Sequence, residues 1–342
     1  SLNSLTLHFE KLMQLNNLTA ISPIDGRYRK KLEALSNYFS EFALIKYRVF
    51  VEIQYFIALW ELEIPQLSKL SKNSVINIEQ ISLGFSIEDA MYIKEIEEKI
   101  NHDVKAVEYF IKDKFDEMGL SKFKEFVHFG LTSQDINNTA IPLILKNFTT
   151  DYYLNKLFEV RNQLQVLIEK CEGVSVLART HGQPASPTKL DKEIKVFKVR
   201  IDEQIKILKN NLYASKFSGA TGNFNAHKVS YPNVDWETFG RNFCEKKLKL
   251  HYSFPTTQIE HYDHYAALCD SKSRINTILI DLCRDIWSYI SLDYFNQKIN
   301  KHEVGSSAMP HKVNPIDFEN AEGNLGLANS IFRHFSQKLP IS

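Results

Sequence analysis

Between Gly305 and Pro315 the chain reads Gly-Ser-Ser-Ala-Met-Pro-His-Lys-Val-Asn-Pro. Glycine and serine allow tight turns whose backbone N–H groups face outward, a local anion-binding surface. Lys312 adds a fixed positive charge and Asn314 a neutral donor. On composition alone a proline-punctuated connection between two helices is the more ordinary reading of the stretch, because most loops are only connections. Further polar knots follow along the chain, and the first three invite the same double reading. Arg27-Tyr28 closes a turn-rich stretch, either as a helix entry or as a cation beside an aromatic. Asn101-His102-Asp103 stands at a helix start. Its members are caps, Asp103 foremost, or they present an imidazole and an amide at the positive helix end. Thr132 and Ser133 are N-cap candidates whose hydroxyls can also hold phosphate or carboxylate oxygens. Around His181 a glycine and two prolines interrupt the pattern, and Gln258 lies just ahead of a long helix.

Long helices must position these knots. Phe39, Phe42, Ile45, Val49, Ile53, Phe56 and Trp60 recur at three- and four-residue intervals, which predicts an amphipathic helix from Leu35 that Pro65 ends. Ser86-Ile87-Glu88-Asp89 starts another, with acids in its first turn. The cleanest stripe is Leu190, Ile194, Phe197, Ile201, Ile205, Leu208 and Leu212. It predicts a helix from Thr188 to Lys216, about 44 Å long at 1.5 Å per residue. Helices of that length need partners, so a bundle is expected. No β-ladder pattern, βαβ alternation, G-x-G-x-x-G, P-loop or internal repeat is visible. The expected fold is all-α, with an N-terminal helical domain over 1–122 and a central bundle over 123–342.

The totals exclude several classes. Of the 342 residues, 44% are hydrophobic and 24% charged, and the net charge is +1, so neither disorder nor a nucleic-acid or membrane-surface protein is indicated. No apolar run reaches the ~20 residues of a membrane span. Cys171, Cys244, Cys269 and Cys283 include no C-x-x-C pair, and no signal-peptide core opens the chain. A soluble, cytoplasmic protein without metal or cofactor is expected.

Read together, the knots resemble the fumarase/aspartase superfamily, and within it the adenylosuccinate lyases of the bacterial purine-pathway type. The Gly305–Pro315 segment is similar to the superfamily's signature loop. His311 between Pro310 and Lys312 is the choice of that branch, where fumarases tend to carry Gly and argininosuccinate lyases Gln. S-P-I-D-G-R-Y (22–28), N-H-D-V-K-A-V-E-Y-F (101–110), T-S-Q-D-I-N-N (132–138), R-T-H-G-Q-P-A (179–185), G-N-F-N-A-H (222–227) and T-T-Q-I-E (256–260) extend the resemblance over about 18–342. It argues against a different superfamily lyase, such as an argininosuccinate lyase or a 3-carboxymuconate cycloisomerase. A bundle that lost its chemistry is disfavoured because Ser306, Lys312 and His181 are all present.

The resemblance implies elimination of fumarate from adenylosuccinate, giving AMP, and from the related intermediate SAICAR, giving AICAR. It casts Ser306 as the base, with Lys312 and Asn314 holding the carboxylate on which charge builds. His181 becomes the general acid and Glu319 the carboxylate that orients it. Arg27 and Tyr28 would meet the nucleotide phosphate and ribose, and Asn101, His102 and Asp103 would form a second histidine segment, with His102 near the phosphate or the catalytic histidine. Thr132 and Ser133 would hold succinyl oxygens, with Gln258 and Asn320 as further contacts. It also implies a homotetramer with active sites shared between subunits. Family chains continue past the position of Ser342, so a C-terminal domain is expected to lie outside this chain.

Overall fold

The computed structural model describes residues 15–298 and 313–341. They divide into two compact units, one up to Phe129 and one from Gly130. No helix among the described residues is long and apolar enough to cross a membrane.

The first unit contains α1 (Arg29–Leu32), α2 (Ser36–Phe39), α3 (Glu41–Glu61), α4 (Lys72–Leu83), α5 (Ile87–Ile100) and α6 (Asp103–Glu117). Its centre is α3, whose Val49, Val51, Ile53, Tyr55, Phe56 and Leu59 are fully enclosed. The single helix expected from Leu35 is broken at Ser40, which is extended and accepts a hydrogen bond from the Ala43 amide at 3.1 Å. A serine that caps the next turn competes with helix continuation, and here the cap wins. Ser86 starts α5 as expected, through a reciprocal pair: Asp89 N–H donates to Ser86 Oγ and Ser86 N–H to the Asp89 carboxylate. Edge-to-face contacts such as Phe56–Phe115, at 4.8 Å, fill the space between helices.

The second unit holds α7 (Ser133–Asn147), α8 (Leu154–Lys170), β1 (Ser175–Thr180), β2 (Gln183–Lys189), α9 (Leu190–Lys209), β3 (Ala214–Ser215), α10 (Asn225–Ser230), α11 (Trp236–Arg241), β4 (His251–Tyr252), α12 (Asp263–Ser291) and α13 (Ile316–Lys338). Helices α8, α9 and α12 pack around Leu157, Leu164, Ile194, Phe197, Ile201, Ile205, Ile275, Ile278 and Leu282, and α13 lies along α12. Each such side chain, once buried, contributes roughly 1.5–3 kcal/mol relative to exposure. The helical-bundle class expected from periodicity is the one observed.

Two expectations need correction. Helix α9 has 20 residues, about 30 Å, rather than the span from Thr188 to Lys216. At its start Thr188 belongs to β2; at its end Asn210 and Asn211, weak helix formers, release the chain. Leu212 is then 46% exposed, while Lys216 turns inward. The stretch around His181 is also not an irregular break but an antiparallel ribbon, β1 paired with β2 from Ser175↔Lys189 to Thr180↔Gln183. It is exposed on nearly every residue, so no apolar alternation marks it in the sequence. Pro184 and Pro187 are tolerated because each strand of a two-stranded ribbon has a free edge.

Candidate active site

In the first unit, Asn101 ends α5 in the left-handed region, at φ 53°, and His102 rather than Asp103 caps α6. The His102 Nδ1 accepts the Lys105 amide at 3.2 Å, so in the neutral ring the proton sits on Nε2. Asp103 instead receives Arg48, whose buried guanidinium donates at 2.6 Å. Burial pushes the Asp103 carboxyl up, but Arg48 and the Val104 N–H outweigh it and hold the group below the usual carboxylate range. Arg27 is exposed and Tyr28 half-buried, at the entry to α1.

One pair stands apart from the sequence motifs. Glu52, enclosed within α3, accepts a 2.5 Å hydrogen bond from the His128 Nδ1. His128 itself sits at φ 58°, an uncommon conformation for a residue with a Cβ. Nearby Glu108 is buried between Lys105 and Lys112, at 2.8 and 3.1 Å. A glutamate inside an otherwise apolar helical stripe was the available signal in both cases.

In the second unit, α7 gathers two of the expected segments. Thr132 is its N-cap, and the Thr132 N–H donates to the Asp135 carboxylate at 2.9 Å. The other oxygen of Asp135 accepts from the Lys216 ammonium (2.7 Å) and from the N–H groups of Ser218 (2.9 Å) and Gly219 (3.2 Å). Burial pushes the Lys216 ammonium down, and Asp135 opposes that shift only in part. One turn along, Asn138 accepts the Glu260 N–H at 2.9 Å and donates to the Tyr262 hydroxyl at 2.6 Å. Ser218 and Thr256 hydroxyls lie 3.2 Å apart. Half-buried Thr132 and Ser133 and exposed Gln258 are therefore tied to one scaffold.

Elsewhere in that unit, His181 and Gly182 form the two-residue tip of the β1–β2 ribbon, with φ 53° and 72°. Positive φ at both positions matches the twist of a tight hairpin. The tip holds the imidazole out into solvent. Against the ribbon lies an open cavity of about 720 Å³ between Arg179, Lys192, Glu193, Asp285 and Tyr289. Burial, then the neighbouring Asp281 and Glu193, push the Asp285 carboxyl up. Glu319 and Asn320 project from the start of α13; Trp287 donates to Glu319 at 3.3 Å, and Asn324 donates to Asn320. Among the described residues no hydrogen bond or ion pair joins His181 to Glu319. The Asn314 carbonyl accepts from Ile316 N–H at 2.9 Å. Ser306 and Lys312 lie outside the described residues.

A scan against known families matches the lyase family profile to residues 26–328. The adenylosuccinate lyase of Dictyostelium discoideum is 55% identical over 96% of this chain and 72% of its own length. Those of Vibrio cholerae and Escherichia coli K12 are 47% and 44% identical, again over 96% of this chain and 73% of theirs. The chain belongs to the adenylosuccinate lyase family. Solved structures of a 3-carboxy-cis,cis-muconate lactonizing enzyme from Pseudomonas putida and a fumarate lyase from Mesorhizobium share the fold, with TM-scores of 0.70 and 0.67. Both are 18% identical; the first covers 91% of this chain and 67% of its own, the second 88% and 64%. At that identity they speak to the fold and not to the reaction.

Proposed function

We infer that this protein is a C–N lyase that eliminates fumarate from adenylosuccinate, leaving AMP, and from SAICAR, leaving AICAR, in purine biosynthesis. The observation that carries the reading is 55% identity to an adenylosuccinate lyase over 96% of the chain, with all the motif segments in order.

In the proposed chemistry, Ser306 removes a proton from the succinyl carbon beside a carboxylate. The C–H electron pair forms the new C=C bond as the C–N pair leaves on the purine nitrogen, which His181 protonates. A serine hydroxyl is far too weak a base unaided, so loop N–H groups and Lys312 must stabilise its alkoxide. Lys312 and Asn314 also bind the carboxylate that gathers charge. An imidazole suits the acid because it can hold or release a proton under physiological conditions, and exposure of His181 at the hairpin tip leaves it accessible to a substrate. Glu319 is assigned to orient it, Thr132, Ser133 and Gln258 to the succinyl end, and Asn320 to a further substrate contact. Arg27 and Tyr28 are assigned to the nucleotide phosphate and ribose, and Asn101, His102 and Asp103 to a second histidine segment with His102 near the phosphate or the catalytic histidine. The free nitrogen of His102 and the salt-bridged Asp103 support that last assignment.

A homotetramer with shared sites completes the reading. Its support is apolar surface left open on the bundle helices, including Val199, Ile207, Leu327 and Ile331, and the separate anchoring of His181 and Glu319 within one chain. Buried free thiols at all four cysteines accord with a cytoplasmic location.

The test offers the protein adenylosuccinate, SAICAR, argininosuccinate and aspartate separately and follows fumarate by its ultraviolet absorbance. Release from the first two alone is expected, and release from argininosuccinate or aspartate instead would overturn the substrate assignment. Ser306→Ala is expected to lower kcat by about 10²–10⁴, the span of a general base, while the affinity for adenylosuccinate stays within a few-fold. Near-normal turnover would remove Ser306 from the mechanism.

A further inference from the structure

Asp135 and Lys216 are both wholly withdrawn from solvent, and 81 residues of sequence separate them. A buried ion pair adds little net stability over an apolar pair of the same volume. Its contribution here is geometric, because the Asp135 carboxylate ties the first turn of α7 to the 216–219 loop. It receives Thr132 N–H on one oxygen, and Lys216 Nζ, Ser218 N–H and Gly219 N–H on the other. Lys216 also donates to the Gly219 carbonyl, which closes the loop around its own ammonium. The loop then passes the constraint on: Ser218 Oγ lies 3.2 Å from Thr256 Oγ1, and Gly222 presses against the Thr256 carbonyl so closely that a Cβ would stand 2.1 Å from its oxygen. Two residues beyond Thr256 is Gln258.

We propose that Asp135 and Lys216 are positioning residues for the succinyl end of the substrate, locking Thr132–Ser133 and Gln258 into one rigid carboxylate-binding edge. The inference rests on the functional reading above and specifies which buried groups make that edge rigid. Neither residue touches substrate; each acts through the residues it holds. Loss of the lock leaves Thr132, Ser133 and Gln258 chemically intact but free to drift, and drift of such groups by about 1 Å is costly to a binding site.

The experiment separates the two ends of the substrate. Lys216→Met and Asp135→Asn are compared with wild type for inhibition by fumarate and by AMP, the two products, alongside KM and kcat for adenylosuccinate. The expected result is a fumarate constant raised about ten-fold or more, as for a lost charge-assisted contact, with the AMP constant within two-fold. A uniform structural defect would move both constants together, and that outcome, or no change in either, overturns the proposal. Should both variants fail to fold by circular dichroism, Ser218→Ala leaves the buried pair in place and cuts only the tie to Thr256. A fumarate constant raised about three-fold is then expected, and an unchanged one overturns the proposal. Wild-type protein that binds AMP yet neither releases nor binds fumarate would sink the functional reading, and this inference with it.

Discussion

Lys272 is 4% exposed in the middle of α12, and its ammonium lies 4.8 Å and 5.0 Å from the ring centres of Phe148 and Tyr153. Burial pushes it down to about 8, while an unfolded lysine titrates near 10.4. The folded value is the lower one, so between pH 8 and 10.4 the unfolded chain holds a proton that the folded chain lacks. Stability from this group therefore rises with pH across that window, and below it the full cost of burying charge remains. The two rings recover part of that cost. Lys272→Met is expected to be more stable than wild type at pH 7 by about 1–2 kcal/mol, with the gap closing by pH 10; urea unfolding at the two pH values checks it. A gap independent of pH would show that Lys272 keeps its charge throughout. Glu108 shows the opposite sign: burial raises its carboxyl, but hydrogen bonds from Lys105 and Lys112 prevail and hold it below the ordinary glutamate value. Its stabilising contribution is present above the unfolded value, near 4.3, and disappears as the pH falls through the folded one.

At the scale of elements, turns decide where the functional side chains stand. Gly222 and Gly182 both require a left-handed backbone, at φ 80° and 72°. A Cβ on Gly182 would meet open space, whereas one on Gly222 would collide with the Thr256 and Thr257 carbonyls. Gly182→Ala is thus expected to cost only the conformational strain, about 1–2 kcal/mol. Gly222→Ala carries strain and overlap together and is expected to cost about 4 kcal/mol or more. Denaturant midpoints of the two variants test the order, which equal losses would refute. The π-helical turn Phe148–Tyr153 between α7 and α8 belongs to the same scale, since it brings both Phe148 and Tyr153 to Lys272. Much of this level was legible in the sequence: the α9 stripe from Leu190 to Leu208 is buried as its 3.6-residue period requires. The β1–β2 ribbon was not, because an exposed ribbon carries no period-2 contrast for a reader to find.

For the molecule as a whole, the open apolar positions on the bundle helices bear on assembly. Val199 at 47% and Ile331 at 48% exposure would leave water in a tetramer of the proposed kind. Light scattering is expected to give four times the chain mass. If each site draws on several subunits, mixing inactive Ser306→Ala with inactive His181→Ala protein under exchange conditions restores activity that neither parent has. Mixtures that stay silent although subunits exchange would place each complete site within one chain.

The sequence alone determined the helical class, the principal apolar stripes, the cap at Ser86 and the ordered motifs that place the chain in its family. These are local or ordered signals, carried by spacing along the chain. Only tertiary structure decided which partner each buried polar group takes. Asp135 finds Lys216 across 81 residues, Asn138 finds the Glu260 amide across 122, and Glu52 finds His128 across 76. Residue types announce that such groups need partners, because an unpaired buried charge or amide is costly. Which partner arrives is set by how the loops close and the helices pack, and no local pattern records that.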